Sequence, residues 1–206
     1  MIDLYCYEKE LWEKGYNNVA GTDEAGRGPL FGPVVAAAVI LPHDFILEGL
    51  NDSKKLTEKK RNIYYEYIIK NALDVSISII DEKEIDKINI YQASKKAMIE
   101  AFDGLKVRPD YVITDAMKMN YKVPSLAIIK GDAKSITIAA ASVIAKVTRD
   151  RIMIEIDKAY PMYGFKNHKG YPTKKHIEAL NKYGIIDGYR KTYQPVKKYL
   201  EAVNKQ

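Results

Sequence analysis

The chain has 206 residues, 47% hydrophobic and 29% charged, which is the usage of an ordinary folded protein and excludes a disordered, collagen-like or disulfide-framed one. Lys and Arg outnumber Asp and Glu by 33 to 27, a formal charge of +6, which suits a polyanionic partner without requiring one. Cys6 stands alone, so an internal disulfide and a cysteine-based zinc cluster are excluded; with no secretory start and no run of 18 apolar residues, a cytoplasmic monomer without membrane contact, one domain over 1–206, is expected.

In chain order, residues 18–22 lead into Asp23 and residues 33–41 form an almost unbroken apolar run rich in Val and Ala. They predict two buried strands joined by a glycine-rich turn, which reads Asp23-Glu24-Ala25-Gly26-Arg27-Gly28-Pro29. Residues 57–71 carry a helical pattern with Thr57 as its cap, and 75–80 predict a short strand. Helices are expected over 81–86 and 91–102. Beyond Arg108 and Pro109, residues 111–114 predict a strand ending at Asp115, and 125–129 predict another. The longest helical pattern, 135–159, sets Ala139, Val143, Val147 and Ile154 near one face and predicts the central packing helix. Residues 160–164 break it, 173–182 predict a helix, and a basic, aromatic tail ends in a helix over 194–204. Strands interleaved with helices, without a repeat or a linker, give an α/β layer fold.

Asp23 and Glu24 stand where a strand gives way to glycines that let the backbone approach a ligand. Adjacent strand residues point to opposite faces, so the pair converges only if the chain turns there. Asp115 ends a second strand and Asp132 precedes the long helix, so with these termini side by side four carboxylates would share a pocket. Like charges at close range repel and raise one another's pKa, which a divalent cation relieves. Oxygen-only ligands favour Mg²⁺ or Mn²⁺ over zinc, and two such ions about 3.5 to 4 Å apart serve phosphodiester hydrolysis. Each acid also has a structural reading as a turn or cap residue, and Asp132, just ahead of a helix, fits a cap as well as a ligand.

The run from Gly21 through Asp23-Glu24-Ala25-Gly26-Arg27-Gly28-Pro29-Leu30-Phe31-Gly32-Pro33 to Val35 resembles the signature of the ribonuclease HII family. Further blocks agree in order: Asp52-Ser53-Lys54-Lys55-Leu56, Ile113-Thr114-Asp115-Ala116, Lys130-Gly131-Asp132-Ala133-Lys134-Ser135, the stretch from Ala139 to Asp150, and His168-Lys169-Gly170-Tyr171-Pro172-Thr173. Together they span most of the chain.

The resemblance implies a ribonuclease H-like fold, a central mixed β-sheet flanked by helices, with a small helical C-terminal portion that helps hold a duplex. It implies an endonuclease that hydrolyses the RNA strand of RNA–DNA hybrids and cuts 5′ of single ribonucleotides embedded in DNA, leaving 3′-hydroxyl and 5′-phosphate ends, in primer removal and ribonucleotide excision repair. Asp23, Glu24, Asp115 and Asp132 match the family's metal ligands, with Asp23 bridging two Mg²⁺ or Mn²⁺ ions. Gly26, Arg27 and Gly28 match the turn that senses the ribose 2′-hydroxyl and adjacent phosphate, and Tyr171 the tyrosine that completes that recognition. A 2′-hydroxyl separates RNA from DNA, and backbone groups reach it where no side chain intervenes. Lys54, Lys146 and Arg149 fall in matched blocks and are candidates for duplex-backbone contacts. His168 and His176, near Tyr171, are expected on a groove wall or on the surface, without a catalytic role. The sibling ribonuclease HIII family shares the chemistry but differs at the position of Arg27, and a non-catalytic duplex binder on the same fold would keep its affinity without the carboxylates.

Overall fold

The computed structural model describes residues 4–51 and 53–204, so Asp52 lies outside the described residues. In chain order the elements are α1 (Cys6–Glu13), β1 (Val19–Ala25), β2 (Val34–Ile40), α2 (Glu58–Asn71), β3 (Asp74–Ile80), α3 (Glu82–Ile88) and α4 (Ile90–Asp103). There follow β4 (Tyr111–Asp115), β5 (Ser125–Ile128), α5 (Ile136–Ala159), α6 (Phe165–His168), α7 (Lys174–Tyr183) and α8 (Gln194–Val203).

The apolar run after the glycine turn becomes β2, buried along its whole length. It pairs antiparallel with β1 on one side and β3 on the other, and β4 and β5 extend the sheet parallel to β1, in the order β3-β2-β1-β4-β5. The mixed sheet is the expected one. Because strand residues alternate faces, Ala36, Ala38 and Ile40 pack with Ala97, Met98 and Ala101 of α4, whereas Ala37 and Val39 pack with Ile68 of α2 and with Ala140 and Val143 of α5. Both faces are covered, which is why β2 reads as a continuous apolar run and not as an alternation.

Small residues let α5 lie close against the sheet. A Cβ added to Gly21 of β1 would sit 2.5 Å from Thr137 Oγ1 and 2.6 Å from the Ile138 amide nitrogen, so the first turn of α5 meets the β1 backbone directly. That approach carries the turn ahead of α5, Gly131–Ala133, to the end of β1.

The last three helices pack their own apolar cluster, in which Leu30, Phe31, Phe165, Leu180, Tyr189 and Val196 are buried. Phe31 stacks on Phe165 at 4.1 Å and meets Tyr189 edge-on at 5.0 Å. The chain that leaves the glycine turn is therefore clamped between the sheet and the C-terminal helices.

Two differences from the sequence expectations matter for the site. Strand β1 continues through Asp23 and Glu24 to Ala25 and turns only at Gly26, where φ is +102°; the backbone is still extended at both carboxylates. Helix α1 has no counterpart in the sequence reading; its eight residues bury only Leu11 and Glu8, with Tyr7 and Trp12 packed partly buried beside Leu11. Among the described residues no helix is long and apolar enough to cross a membrane.

Candidate active site

The ends of β1 and β4 are neighbours in the sheet, Thr22 opposite Thr114, so Asp23 and Asp115 emerge side by side. Asp132 arrives from the turn before α5. One carboxylate oxygen from each of Asp23, Asp115 and Asp132 lies within 4.8 Å of the others. Asp23 and Asp132 are buried and Asp115 is partly so. Asp115 is fixed by the Gly131 amide, which donates to its Oδ1 at 2.7 Å, and Asp23 Oδ1 accepts from the Glu24 amide at 2.8 Å.

Glu24 does not join this group. Its Oε1 lies 3.4 Å from Arg27 Nη1, and its charge still raises Asp23 while that of Asp115 raises Glu24. It still borders the same cleft.

Burial pushes the Asp23 carboxyl well above its ordinary range, and the charges of Glu24 and Asp115 add to the effect. Burial also raises Glu24, partly offset by Arg27. Acids crowded and desolvated in this way favour a cation among them, and an all-carboxylate donor set suits a hard divalent ion. The residues present therefore fit Mg²⁺ or Mn²⁺.

The cluster opens into a cleft of about 320 Å³ lined by Asp23, Glu24, Gly26, Arg27, Gly28, Lys54, Asp115, Lys146, Arg149 and Tyr171, with Ser53 and Ser142 on its wall. A Cβ on Gly28 would meet the Tyr171 ring at 3.4 Å, so the bare backbone of Gly28 and the half-exposed tyrosine share one surface.

Of the basic candidates, Lys54 is exposed, with Nζ 3.9 Å from Asp132 Oδ2. Lys146 donates to Asp150 Oδ1 at 2.6 Å. Arg149 is almost wholly buried, and its nitrogens donate to the carbonyls of Pro33, Lys169 and Phe31 at 3.0, 3.0 and 3.2 Å. A side chain so committed holds the loop from beneath instead of reaching out to a phosphate. It also dictates Gly26, where an added Cβ would fall 2.2 Å from Arg149 Nε.

The sequence reading missed Arg190, which is fully buried under the same loop. It donates to the carbonyls of Gly26 at 2.6 Å, Arg27 at 3.0 Å and Gly32 at 2.7 Å, and to Tyr193 Oη. Neither guanidinium has a carboxylate among these partners. Burial, with the charge of Arg190, lowers Arg149 to about 10, so Arg149 stays charged at neutral pH and sets positive charge beneath the turn; burial lowers Arg190 as well. In sequence Arg190 looks like one more cation of a basic tail.

His176 is buried, not on a groove wall or the surface. Its Nδ1 meets the Tyr171 carbonyl and its Nε2 the Tyr189 hydroxyl, both at 2.9 Å, while its ring stacks on His168 at 4.4 Å. It anchors the backbone of the cleft tyrosine.

Comparison with known proteins agrees with this geometry. Residues 20–197 match the family model described as Ribonuclease HII. The chain is 52% identical over 200 residues to the Ribonuclease HII of Bacillus mycoides, covering 97% of this chain and 78% of that one, and 51% identical over 196 residues to that of Bacillus cytotoxicus, covering 95% and 76%. The crystal structure of the ribonuclease H2 from Pyrococcus horikoshii OT3 superposes with a TM-score of 0.79 at 28% identity, over 92% of this chain and 100% of that one. Bst-RNase HIII, in a crystal structure with Mn²⁺, shares the fold at 16% identity, with a TM-score of 0.72 over 92% and 71% of the two chains.

Proposed function

Since this chain belongs to the ribonuclease HII family, and is thereby a nuclease hydrolysing RNA in RNA–DNA hybrids, we propose that it also cuts DNA duplexes at single embedded ribonucleotides. The cut falls on the 5′ side of the ribonucleotide and serves excision of misincorporated ribonucleotides and RNA primers. The observation that carries this reading is one cleft holding both a carboxylate cluster, Asp23, Asp115 and Asp132, and a side-chain-free backbone at Gly28 against Tyr171.

Asp23, Asp115 and Asp132, with Glu24 at the rim, would hold Mg²⁺ or Mn²⁺, two ions with substrate in place. When bound, the ions supply a water of lowered pKa and neutralise charge on the phosphate. A water oxygen adds to phosphorus and gives up a proton to solvent, the P–O3′ bond breaks, and the leaving oxygen takes a proton from solvent to become the 3′-hydroxyl beside a 5′-phosphate. Asp23, at the end of β1 beside β4 and the turn before α5, would be the central carboxylate of that set.

Specificity is assigned to the turn. Gly26, Arg27 and Gly28 meet the ribose and its phosphate, and the Tyr171 ring packs on the sugar, because a 2′-hydroxyl is legible only to groups that approach closely. Lys54, exposed at the cleft mouth, contacts the duplex backbone. Lys146 does so by exchanging Asp150 for a phosphate, whereas Arg149 acts through the loop it holds and the charge it adds beneath it.

The test is cleavage of a DNA duplex carrying one ribonucleotide, with Mg²⁺, with Mn²⁺ and with chelator. Cutting 5′ of the ribonucleotide with either metal is expected. Failure under both, with long hybrids still cleaved, would remove the single-ribonucleotide activity and leave the family activity standing.

A further inference from the structure

Helix α1 lies outside residues 20–197 that match the family model, yet it carries a buried acid to the start of α5. Glu8 is fully buried, and its Oε1 accepts from Ser135 Oγ at 2.6 Å, Thr137 Oγ1 at 2.7 Å and the Thr137 amide at 3.1 Å. The chain just before α1 contributes as well, since the Leu4 carbonyl accepts from the Ile136 amide at 2.9 Å.

These bonds account for the start of α5. The opening amides of a helix have no partner inside it and need acceptors from elsewhere. Here Ile136 has Leu4, Thr137 has Glu8, and Ile138 has the Ser135 hydroxyl at 3.2 Å. A carboxylate just upstream of a helix is ordinarily drawn to such amides, which supply hydrogen bonds and the positive end of the helix dipole. Asp132 is the acid in that position. It is not the cap, because Ser135, Glu8 and Leu4 occupy every opening amide between them.

The link to the cluster continues through backbone. The Ser135 amide donates to the Gly131 carbonyl at 2.8 Å, and the Gly131 amide donates to Asp115 Oδ1. Glu8 thus fixes Ser135, Ser135 fixes the turn that contains Asp132, and the same turn fixes Asp115.

We infer that Glu8 is a positioning residue for the cation site: by occupying the N-terminus of α5 it keeps Asp132 turned toward Asp23 and Asp115 as a cation ligand instead of a helix cap. The inference rests on the reading of Asp23, Asp115 and Asp132 as that site. It gives α1 a part in metal binding through Ser135, 127 residues further along the chain.

Removing the acceptor exposes the Thr137 amide and two hydroxyls to Asp132, so Glu8→Ala weakens Mn²⁺ binding. Glu8→Gln, which keeps an acceptor oxygen, retains it. The experiment is direct Mn²⁺ titration of the substrate-free full chain by calorimetry or electron paramagnetic resonance, with Asp132→Asn as reference. Wild type binding Mn²⁺, Glu8→Ala weakened tenfold or more, and Glu8→Gln within about threefold is the expected result. Glu8→Ala cleavage should recover at high Mn²⁺, which separates lost affinity from lost chemistry. Unchanged Mn²⁺ affinity in folded Glu8→Ala would overturn the role of Glu8 alone; a wild type that binds no Mn²⁺, or an Asp132→Asn that binds normally, would overturn the cation site itself. Should Glu8→Ala fail to fold, Glu8→Asp decides, since withdrawing the carboxylate by one methylene weakens Mn²⁺ binding if Glu8 positions the site and leaves it unchanged if it does not.

Discussion

The Arg190 guanidinium donates to the carbonyl of Gly26 at 2.6 Å, joining residues 164 apart in the chain. The same side chain reaches Arg27 and Gly32, so one buried fork shapes the whole glycine turn. A lysine in its place keeps the charge but offers a single nitrogen to acceptors spread along the loop.

Arg190→Lys is therefore expected to orphan two or more carbonyls, at about 1 to 3 kcal/mol each. The melting temperature should fall by roughly 4 °C or more, taking about 2 to 4 °C per kcal/mol for a chain of this size. Cleavage at a single ribonucleotide should fall further than Mn²⁺ affinity, because the turn is disturbed and the carboxylates are not. A variant with wild-type melting and wild-type cleavage would show that the fork does not set the loop.

Tyr171 lies against Gly28 and is half-exposed at the cleft, so truncating it leaves little buried surface unfilled. Tyr171→Ala should lower kcat/KM on a single-ribonucleotide duplex by tenfold or more and on a long hybrid by much less, since only the latter presents alternative 2′-hydroxyls to the turn. Comparing the two substrates side by side checks this, and equal losses would count against a role in ribose recognition.

His176 gives the fold a pH dependence of defined sign. Burial lowers it from an ordinary 6.5 to about 4, so the unfolded chain binds its proton more tightly than the folded one. Its contribution is fully present above pH 6.5 and is lost as pH falls toward 4, up to about 3 kcal/mol for a shift of this size. Denaturation midpoints measured between pH 7 and 4 should fall, and a folded His176→Phe variant should show a shallower decline. A slope unchanged by that substitution would assign the pH dependence to other groups.

What was legible in the sequence is what local chemistry encodes. Thr57, the expected cap of α2, accepts from the amide three residues on, the helices expected from about 135 and 173 begin there, and the apolar run of β2 announces a buried strand. The carboxylates were legible because strand ends and glycines mark them. Buried polar groups were not, because what distinguishes them is a distant partner: Glu8 acts on Ser135, Arg190 on Gly26, His176 on Tyr189. In sequence each is indistinguishable from a solvated side chain. Glu24 shows the same limit at short range, since nothing in the pair Asp23-Glu24 tells that its carboxylate meets Arg27 and stands outside the close group of Asp23, Asp115 and Asp132.

Asp23 should be a residue whose removal strengthens the fold while ending the chemistry. Its carboxyl is raised well above the ordinary value of 3.8, first by burial and then by Glu24 and Asp115, so the folded chain binds that proton more tightly than the unfolded one. The associated stability is present below pH 3.8 and is lost as pH rises through the folded value, which makes the carboxyl a liability to the metal-free fold above pH 3.8. Asp23→Asn removes the charge at nearly constant shape. Metal-free Asp23→Asn should melt a few degrees above metal-free wild type; added Mn²⁺ should raise the wild type by ligand linkage and the variant far less. Cleavage should fall at least a thousandfold, with hybrid binding retained within a few-fold. Melting curves with and without Mn²⁺, run beside cleavage and binding assays, check every part. A metal-free variant less stable than wild type would mean that the hydrogen bond the carboxylate takes from Ser142, which an amide nitrogen cannot accept, outweighs the cost of the buried charge.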